Sequence, residues 1–226
     1  MTHDNDAGAA EPDASTDDAA EAEPPTAAPA VAARKRPKPG ERRVQILQTL
    51  AGMLELPGAD RVTTAALAAK LDVSEAALYR HFASKAQMFE GLIEFIESSV
   101  FTLVNQIHER ETEPVVQVQK MLTVLLQFAE KNPGMARVMV GDALVFENDR
   151  LLTRMNQFFE RFESQLRQSL RGRAEDAGSV TPTVDANAQA SVLTAFAVGR
   201  LQRFARSGFK RSPVEHLDVA LRMLAT

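Results

Sequence analysis

The sequence predicts an all-α protein with a helix-turn-helix head, a larger helical body and a disordered acidic N-terminal tail. Residues 62–85 have the capping residues and the apolar spacing of two short helices joined by a tight turn. Beyond them, apolar residues recur at helical intervals in segments bounded by proline, glycine or capping residues. Residues 1–40 are mostly Ala, Pro, Asp and Glu, a composition that cannot bury enough apolar surface to offset the entropy of ordering.

Charge is unevenly distributed along the chain, although the net charge is only −4. Residues 1–33 contain eight acidic and no basic residues, whereas residues 34–90 contain ten basic and six acidic residues. The helix-turn-helix segment therefore lies in the basic part of the chain, as expected of a protein that binds phosphates. Residues 34–38, Arg-Lys-Arg-Pro-Lys, form a basic arm with two open interpretations, a solubilising linker or an arm that contacts DNA phosphates.

The first predicted helix spans residues 41–56 and buttresses the helix-turn-helix. Its apolar residues recur with the 3.6-residue period of a helix that buries one face, and they are Val44, Leu47, Leu50, Ala51 and Leu54. Pro57 and Gly58 then form a stop signal. We expect this helix to complete a three-helix head over residues 41–84.

The next two helices are predicted from their caps and from the spacing of their apolar residues. Thr63 and Thr64 can cap the first of them. Ser74 caps the second, in which Leu78 and Phe82 lie four residues apart and face the core. The other side chains of this helix face elsewhere, and they are Ser74, Ala76, Ala77, Tyr79, Arg80 and His81. A short helix with small and polar exposed side chains is suited to enter the major groove of DNA.

Residues 85–226 are predicted to form the helical body. Capping boxes at Ser84–Gln87 and Ser212–Glu215 open its first and last helices. The other body helices are predicted at residues 114–131, 134–146, 147–172 and 184–208, and the first at 85–109. Small residues on one side of the 184–208 helix allow close approach of another helix, and they are Ala188, Ser191, Ala195 and Gly199. The two closing helices of two chains are therefore suited to a four-helix dimer interface.

Composition argues against several classes of site. The chain has no cysteine, which rules out disulfides and thiolate ligands, and its four histidines are scattered; we predict no metal site and no cofactor. Asp142, Glu147 and Asp149 lack a histidine partner or a glycine-rich loop, which is typical of a helix start and not of a catalytic site; we predict no catalytic residue and no enzyme. No apolar run approaches the roughly 20 residues that span a bilayer. Because no signal peptide is recognisable either, the cytoplasm is the expected location, without a membrane contact.

The segment TTAALAAKLDVSEAALYRHFASK, residues 63–85, resembles the DNA-binding signature of the TetR family. Within that family the chain is similar to the nucleoid occlusion factors, through VSEAALYRHF, GLIEFIE, KNPG, ALVFENDRL and QFFERFESQLRQSLR. The resemblance covers residues 41–226 and implies a TetR-like fold, with a DNA-binding head at 41–84 and a dimerisation and partner-binding body at 85–226. This chain has Asp72 where the turn of the family usually has glycine, and aspartate tolerates a left-handed conformation.

The resemblance also implies which residues contact DNA. Thr63 and Thr64 fall on positions that hold a phosphate. The positions that meet base edges are Ala65, Glu75, Ala76 and Ala77, those that meet the backbone are Tyr79, Arg80, His81 and Lys85, and Ser74 lies in the same block. Alanine offers a methyl group to a thymine methyl, and glutamate can accept from a cytosine amino group. Because a cation in a first helical turn opposes the helix dipole, an external anion explains Lys85 better than a structural role does.

The partners implied by the resemblance are double-stranded DNA with a near-palindromic site, a second copy of the chain, and the division protein FtsZ. Such a nucleoid-associated homodimer, with higher oligomers on DNA as a further expectation, would block ring assembly over the chromosome. The candidate FtsZ contacts are Phe95, Lys131 and Asn132, although Phe95 is equally well explained as a core residue, and Leu103 and Gln127 depart from the pattern of the branch. The alternative function is that of a TetR-type transcriptional repressor released from DNA by a small-molecule effector.

Overall fold

The computed structural model describes residues 40–56 and 61–224. These residues form nine α-helices and one short 3₁₀ helix, with no β-strand among them, so the predicted all-α class is confirmed. In chain order the helices are α1 Glu41–Leu54, α2 Thr64–Lys70, α3 Glu75–Tyr79, α4 Lys85–Arg110, α5 Pro114–Lys131, α6 Pro133–Met139, α7 Asp149–Asp176, α8 Pro182–Arg206 and α9 Leu217–Leu224. The predicted acidic tail, the basic arm and the Pro57–Gly58 stop signal lie outside the described residues.

Helix α1 buries a face that is rotated from the one predicted. Ile46, Leu50 and Leu54 are buried, whereas Val44 is 53% exposed. These three buried residues are spaced four apart and pack where α1 meets α2, α4 and α6. The assignment of Val44 to the buried stripe was therefore wrong, because the core lies on the side of Ile46.

The head joins the body through a close backbone approach between α1 and α6. A Cβ atom added at Gly134, in the first turn of α6, would lie 2.2 Å from the carbonyl oxygen of Ala51 in α1. The backbones of α1 and α6 can approach this closely only because glycine has no side chain. The Asn-Pro-Gly sequence that follows α5 thus allows the head to pack against the body.

Ion pairs also connect α4, which leaves the head, to the start of α7. They are Lys85 with Glu147, Glu90 with Arg150 at 2.8 Å, and Glu97 with Arg154 at 2.6 Å. Arg154 donates to both carboxylate oxygens of Glu97, a bidentate geometry. These hydrogen bonds raise the pKa of the Arg154 guanidinium. The seam between α4 and α7 is therefore polar on its outer side.

The region between α6 and α7 differs from the predicted helix over residues 134–146. α6 ends at Met139, Gly141 adopts a left-handed φ of 85°, and a 3₁₀ helix follows at Asp142–Leu144. α7 then begins at Asp149, because the side chain of Asn148 accepts a hydrogen bond from the backbone N–H of Arg150. The turn at Gly141 explains why one helix could not continue through this segment.

The last helix begins later than predicted. Ser212 does not open it, because its hydroxyl donates to the carboxylate of Glu130 in α5 and accepts from Val214 N–H. His216 has a positive φ of 52°, so that α9 starts only at Leu217. The predicted capping box at Ser212–Glu215 was therefore wrong, since a tertiary contact uses the serine. Among the described residues, no helix combines the length and the hydrophobicity of a membrane span.

Candidate nucleic-acid interface

Helices α2 and α3 form a helix-turn-helix, and a side chain caps the N-terminal end of each helix. The hydroxyl of Thr63 accepts from the backbone N–H of Ala66 at 3.1 Å, and that of Ser74 accepts from Ala77 N–H at 3.3 Å. Asp72, in the turn, has a left-handed φ of 55°. The predicted caps at Thr63 and Ser74 and the predicted left-handed aspartate are confirmed. Thr64 does not cap α2, because it is the first residue of the helix and its hydroxyl donates to Glu75.

Helix α3 is oriented as its spacing predicts. Leu78 and Phe82 are 0% and 1% exposed and belong to the core. Tyr79 is 44% exposed. Ala76 is exposed and Ala77 is half-buried. Ser74, Glu75, Arg80 and His81 are exposed as well. The outer face of α3 is thus small at its start and aromatic or cationic at its end.

Thr64 and Glu75 form a hydrogen bond that links α2 to α3. The Thr64 hydroxyl donates to the Glu75 carboxylate at 2.6 Å, and the two residues lie 11 positions apart. This bond fixes the carboxylate beside the start of both helices while leaving lone pairs free for another donor. Both residues were predicted to contact DNA, whereas their contact with each other was not predicted. Because the Thr64 proton is engaged, Thr63 is the better placed threonine to donate to a phosphate.

Lys85 has an internal anionic partner. Its ammonium group pairs with the carboxylate of Glu147, whose side chain is 9% exposed against 24% for Lys85. The same ammonium lies 5.6 Å from the centre of the Phe89 ring. An external anion is therefore not needed to explain a cation in this first turn, and that expectation is corrected, because Glu147 supplies an anion within the chain.

Arg43 helps to position α3, a role that was not predicted from the sequence. Its guanidinium lies 4.2 Å from the centre of the Phe82 ring and donates to the carbonyl oxygen of His81 at 3.3 Å. Arg43 therefore holds the C-terminal end of α3 against α1. Its position in the first turn of α1, beside the basic segment, was the only signal in the sequence.

Other cations lie exposed on the head. Arg61, Lys70 and Arg80 are exposed, and within residues 40–56 and 61–224 they form no ion pair. Ala65 is exposed in the first turn of α2. The head therefore presents unpaired positive charge around a helix with small side chains, which is the electrostatic pattern of a phosphate-binding surface.

The candidate partner residues of the body lie along α4 and α5. Phe95 is 48% exposed, and its ring centre lies 5.9 Å from that of Phe128. The side-chain amide of Asn132 donates to the Phe128 carbonyl oxygen at 2.7 Å, and Lys131 is exposed beside it. Phe95 is thus a half-exposed aromatic residue and not a core residue. The contacts bring Phe95 and Asn132 to the same aromatic neighbour.

The acidic residues near α7 lie at helix starts or form an ion pair. Glu147 pairs with Lys85, and Asp142 and Asp149 are exposed at the starts of their helices. Within the described part of the chain, no group of three His, Cys, Asp or Glu residues could hold a metal ion. The cluster is explained by the helix starts and by the α4–α7 seam.

Comparison with known proteins matches both parts of the chain to described families. Residues 46–92 match the family described as "Bacterial regulatory proteins, tetR family", and residues 112–226 match the SlmA-like family described as "Tetracyclin repressor-like, C-terminal domain". The nucleoid occlusion factor SlmA of Photobacterium profundum is 52% identical over 182 residues, 80% of this chain and 92% of that protein. That of Alteromonas mediterranea is 51% identical over 181 residues, 80% and 92% of the two chains.

Solved structures with the same fold are more distant in sequence. The fatty acid degradation regulator FadR from Bacillus halodurans has a TM-score of 0.66 and 14% identity, and the match covers 84% of this chain and 97% of that one. AibR, solved in complex with isovaleryl coenzyme A and operator DNA, has a TM-score of 0.63 and 16% identity, over 81% and 97% of the two chains. At these identities the similarity shows the fold alone.

Proposed function

The chain belongs to the TetR family and, within it, to the nucleoid occlusion factors of the SlmA type, and from this membership we propose that it binds a near-palindromic DNA site as a homodimer and inhibits FtsZ ring assembly over the nucleoid. The observation that carries the DNA-binding part is the orientation of α3. Its core side is anchored by Leu78 and Phe82, while Ala76 and Tyr79 face outward. A helix held in this way can enter the major groove without rearrangement.

Each exposed residue of the head has a distinct proposed role. Ala65, Ala76 and Ala77 allow the backbone to approach base edges closely and offer methyl groups to thymine, and Glu75 accepts from a cytosine amino group. Thr63 donates its free hydroxyl proton to a phosphate, and Thr64 orients Glu75. Tyr79, Arg80 and His81 contact the backbone and set the position of α3 along the groove. Lys85 joins them only if a phosphate competes with Glu147.

The proposed homodimer uses the outer face of α8. The small residues Ala188, Ser191, Ala195 and Gly199 are all exposed in the single chain. Val184 and Val192, on the same helix, are 63% and 55% exposed. A stripe of small and apolar residues favours close packing with another helix. The sequence suggested the two closing helices, α8 and α9, for a four-helix interface. Because α7 is the long helix packed against α8, whereas α9 is short, we propose instead that α7 and α8 of two chains form it.

Dimer symmetry sets the geometry of the DNA site. Two copies of α3 related by a two-fold axis read two half-sites about 34–36 Å apart, one turn of B-form DNA, and so favour a near-palindrome. Binding of further dimers to adjacent sites would give the higher oligomers on DNA. The protein would thereby act at the nucleoid, where its FtsZ-binding surface is presented next to DNA.

The proposed FtsZ contact is the surface formed by Phe95, Phe128, Lys131 and Asn132. A half-exposed aromatic pair next to an exposed cation is typical of a site that anchors a peptide by one apolar side chain and one charge. Phe95 and Phe128 provide the apolar anchor, and Lys131 suits an acidic group of FtsZ. The surface lies on α4 and on the end of α5, close to the head that binds DNA.

The test combines DNA selection with FtsZ sedimentation. Selection from a random duplex library should yield a near-palindrome, bound with an affinity that falls by roughly 0.9 log units per phosphate contact for each tenfold increase in salt. The protein bound to this duplex should then reduce the amount of FtsZ polymer that sediments with GTP, whereas a random duplex at the same concentration should have a smaller effect. Equal binding to all duplexes, or unchanged FtsZ polymer with the specific duplex bound, would contradict the proposal. Release from DNA by a small molecule, without an effect on FtsZ, would favour the repressor.

A further inference from the structure

A cluster of cations lies at the C-terminal end of α8 and in the turn that follows it. It consists of Arg203, Arg206, Lys210 and Arg211, all exposed, and is called the basic cluster below. No acidic residue occurs between positions 197 and 213. Within the described part of the chain, none of the four cations forms an ion pair. The basic cluster is therefore an uncompensated positive surface outside the helix-turn-helix.

The turn that carries two of these cations is held in place by hydrogen bonds and ring packing. The Ser207 hydroxyl donates to the carbonyl oxygen of Phe204 at 2.8 Å and accepts from the backbone N–H groups of Lys210 and Arg211 at 3.1 and 2.9 Å. Phe209 has a positive φ of 65°, and its ring centre lies 5.2 Å from that of Phe204. The buried Phe204 thus anchors the turn. Lys210 and Arg211 are presented by a defined backbone next to α8.

The basic cluster borders a cleft suited to an anion. The cleft has a volume of about 380 Å³ and is lined by Gly199, Gln202, Arg203, Arg206, Ser207 and Arg211. Burial lowers the pKa of Arg200, one turn before the cluster; the nearby charge of Arg203 lowers this pKa further, and the carboxylate of Glu215 raises it. The positive charges of this end of α8 therefore repel one another, and an anion in the cleft would relieve that repulsion.

Contacts of the turn place the basic cluster at the end of the body that carries the head. Ser212 bonds to Glu130 near the end of α5, and the guanidinium of Arg137 in α6 lies 5.2 Å from the centre of the Phe209 ring. The same α6 contacts α1 of the head through Gly134. The cluster is thus joined to the head through one short helix, α6.

We infer that the basic cluster binds phosphate groups of the DNA duplex that the head holds, an inference that rests on the proposed function. Guanidinium groups that lack carboxylate partners match phosphates in charge and geometry. Arg203 and Arg206 follow Ala195 and Gly199 along α8 at helical spacing, so a dimer formed through that face brings two clusters to its two-fold axis. The two like-charged clusters then need a shared polyanion, and the duplex that connects the two heads supplies one.

An anionic membrane fits this surface less well than DNA does. Segments that bind lipid headgroups combine cations with apolar side chains that insert into the bilayer. None of the large exposed apolar side chains of the described residues lies between positions 199 and 216. The cluster therefore offers charge without an apolar anchor, which favours a rigid polyanion.

The test compares two variants with the same change in charge. The cluster variant carries Arg203→Gln, Arg206→Gln, Lys210→Gln and Arg211→Gln. The control carries Arg110→Gln, Lys120→Gln, Arg171→Gln and Arg222→Gln, also three arginines and one lysine, near the distal ends of the body helices. Affinity for the selected duplex and for a random duplex is measured over a range of salt concentrations. The oligomeric state of each variant is measured by sedimentation.

The cluster variant should bind both duplexes more weakly by the same factor, because phosphate contacts carry no sequence information. The slope of log K against log salt should fall by at least about 1.8, since two protomers each lose at least one contact worth roughly 0.9. The control should bind like the parent. If the parent binds DNA and the cluster variant has the same slope, this inference fails alone; if the parent does not bind DNA, the proposed function fails first.

Two other results would also overturn the inference. A cluster variant that dissociates into monomers where parent and control are dimers would show that the cations pair with carboxylates of the partner subunit. A cluster variant with unchanged DNA binding that no longer binds vesicles of phosphatidylglycerol, while the control still does, would assign the cluster to a membrane.

Discussion

Lys85, in the first turn of α4, forms an ion pair with Glu147, the residue just before the N-cap of α7. The two residues are 62 positions apart. Since α4 carries the head and α7 belongs to the proposed dimer interface, this pair lies between the part of the protein that binds DNA and the part that sets the distance between two heads. It is followed along the same seam by Glu90–Arg150 and Glu97–Arg154.

Replacing Glu147 by glutamine should separate the structural from the DNA-binding role of Lys85. The variant loses a part-buried ion pair, so its free energy of unfolding should fall by about 1–2 kcal/mol in denaturant titrations. If Lys85 contacts a phosphate, DNA affinity should rise at low salt because the competing carboxylate is gone. The control is Glu175→Gln, which removes the exposed ion pair between Glu175 and Arg171. This substitution should change neither the free energy of unfolding nor the DNA affinity. Unchanged DNA affinity of Glu147→Gln would restrict Lys85 to the seam.

Gly134→Ala should weaken the packing of the head on the body. The added Cβ would lie 2.2 Å from a backbone oxygen of α1, so one of the two helices must move. We expect a loss of roughly 1–3 kcal/mol in unfolding free energy, as for other overpacked sites. Gly172→Ala is the matched control in α7, because its Cβ would meet nothing within 4 Å. That variant should instead gain about 0.5–1 kcal/mol from helix propensity; equal effects of the two substitutions would contradict the proposed contact.

The left-handed Asp72 predicts an inverted order of stability for glycine and alanine. With φ at 55°, Asp72→Ala should be less stable than Asp72→Gly by about 1 kcal/mol, although alanine is normally the more stabilising residue in helical segments. Thermal unfolding of the two variants, measured at equal protein concentration, decides this. A more stable alanine variant would show that the turn relaxes out of the left-handed region.

Phe95→Ala should abolish the effect on FtsZ and leave DNA binding intact. Phe95 is 48% exposed, so that removing its ring deletes a surface contact and little of the core. Val219→Ala, at a residue of α9 that is 44% exposed, controls for the loss of an exposed apolar side chain. The readout is FtsZ polymer sedimented in the presence of the specific duplex. If both variants still act on FtsZ, the partner surface lies elsewhere.

Local sequence signals predicted the elements whose boundaries are set by local residues. α5 has both predicted ends, because Pro114 starts it and Asn132-Pro133 ends it. The core side of α3 was also correct, since Leu78 and Phe82 alone have helical spacing there. In such segments the punctuating residue and the structure it causes are neighbours in the chain.

The misjudged features depend on residues that are distant in sequence. Ser212 looked like a helix cap, but it bonds to Glu130, 82 positions away. The sequence also did not show that Glu147, 62 positions away, is the ion-pair partner of Lys85. In α1, the rotated burial of Ile46 instead of Val44 follows from where α2, α4 and α6 pack, which no periodicity within α1 can specify. The sequence pattern indicates how often a residue of a helix is buried, and tertiary packing determines which residues these are.

Leu78 and Tyr79 are adjacent in α3, but replacing each by alanine should affect a different property, stability for Leu78 and DNA affinity for Tyr79. Leu78→Ala removes a side chain that is 0% exposed and should cost about 2–5 kcal/mol of unfolding free energy. Tyr79→Ala removes one that is 44% exposed, so its stability should stay close to that of the parent while DNA affinity falls. The measurements are denaturant unfolding and fluorescence anisotropy with the selected duplex, the latter under conditions where each variant is folded. Because base contacts are not made by Tyr79 in this proposal, its loss should weaken binding to specific and random duplexes by the same factor. A Tyr79→Ala protein that binds DNA like the parent would remove this residue from the interface, and one that unfolds like Leu78→Ala would contradict the orientation of α3 itself.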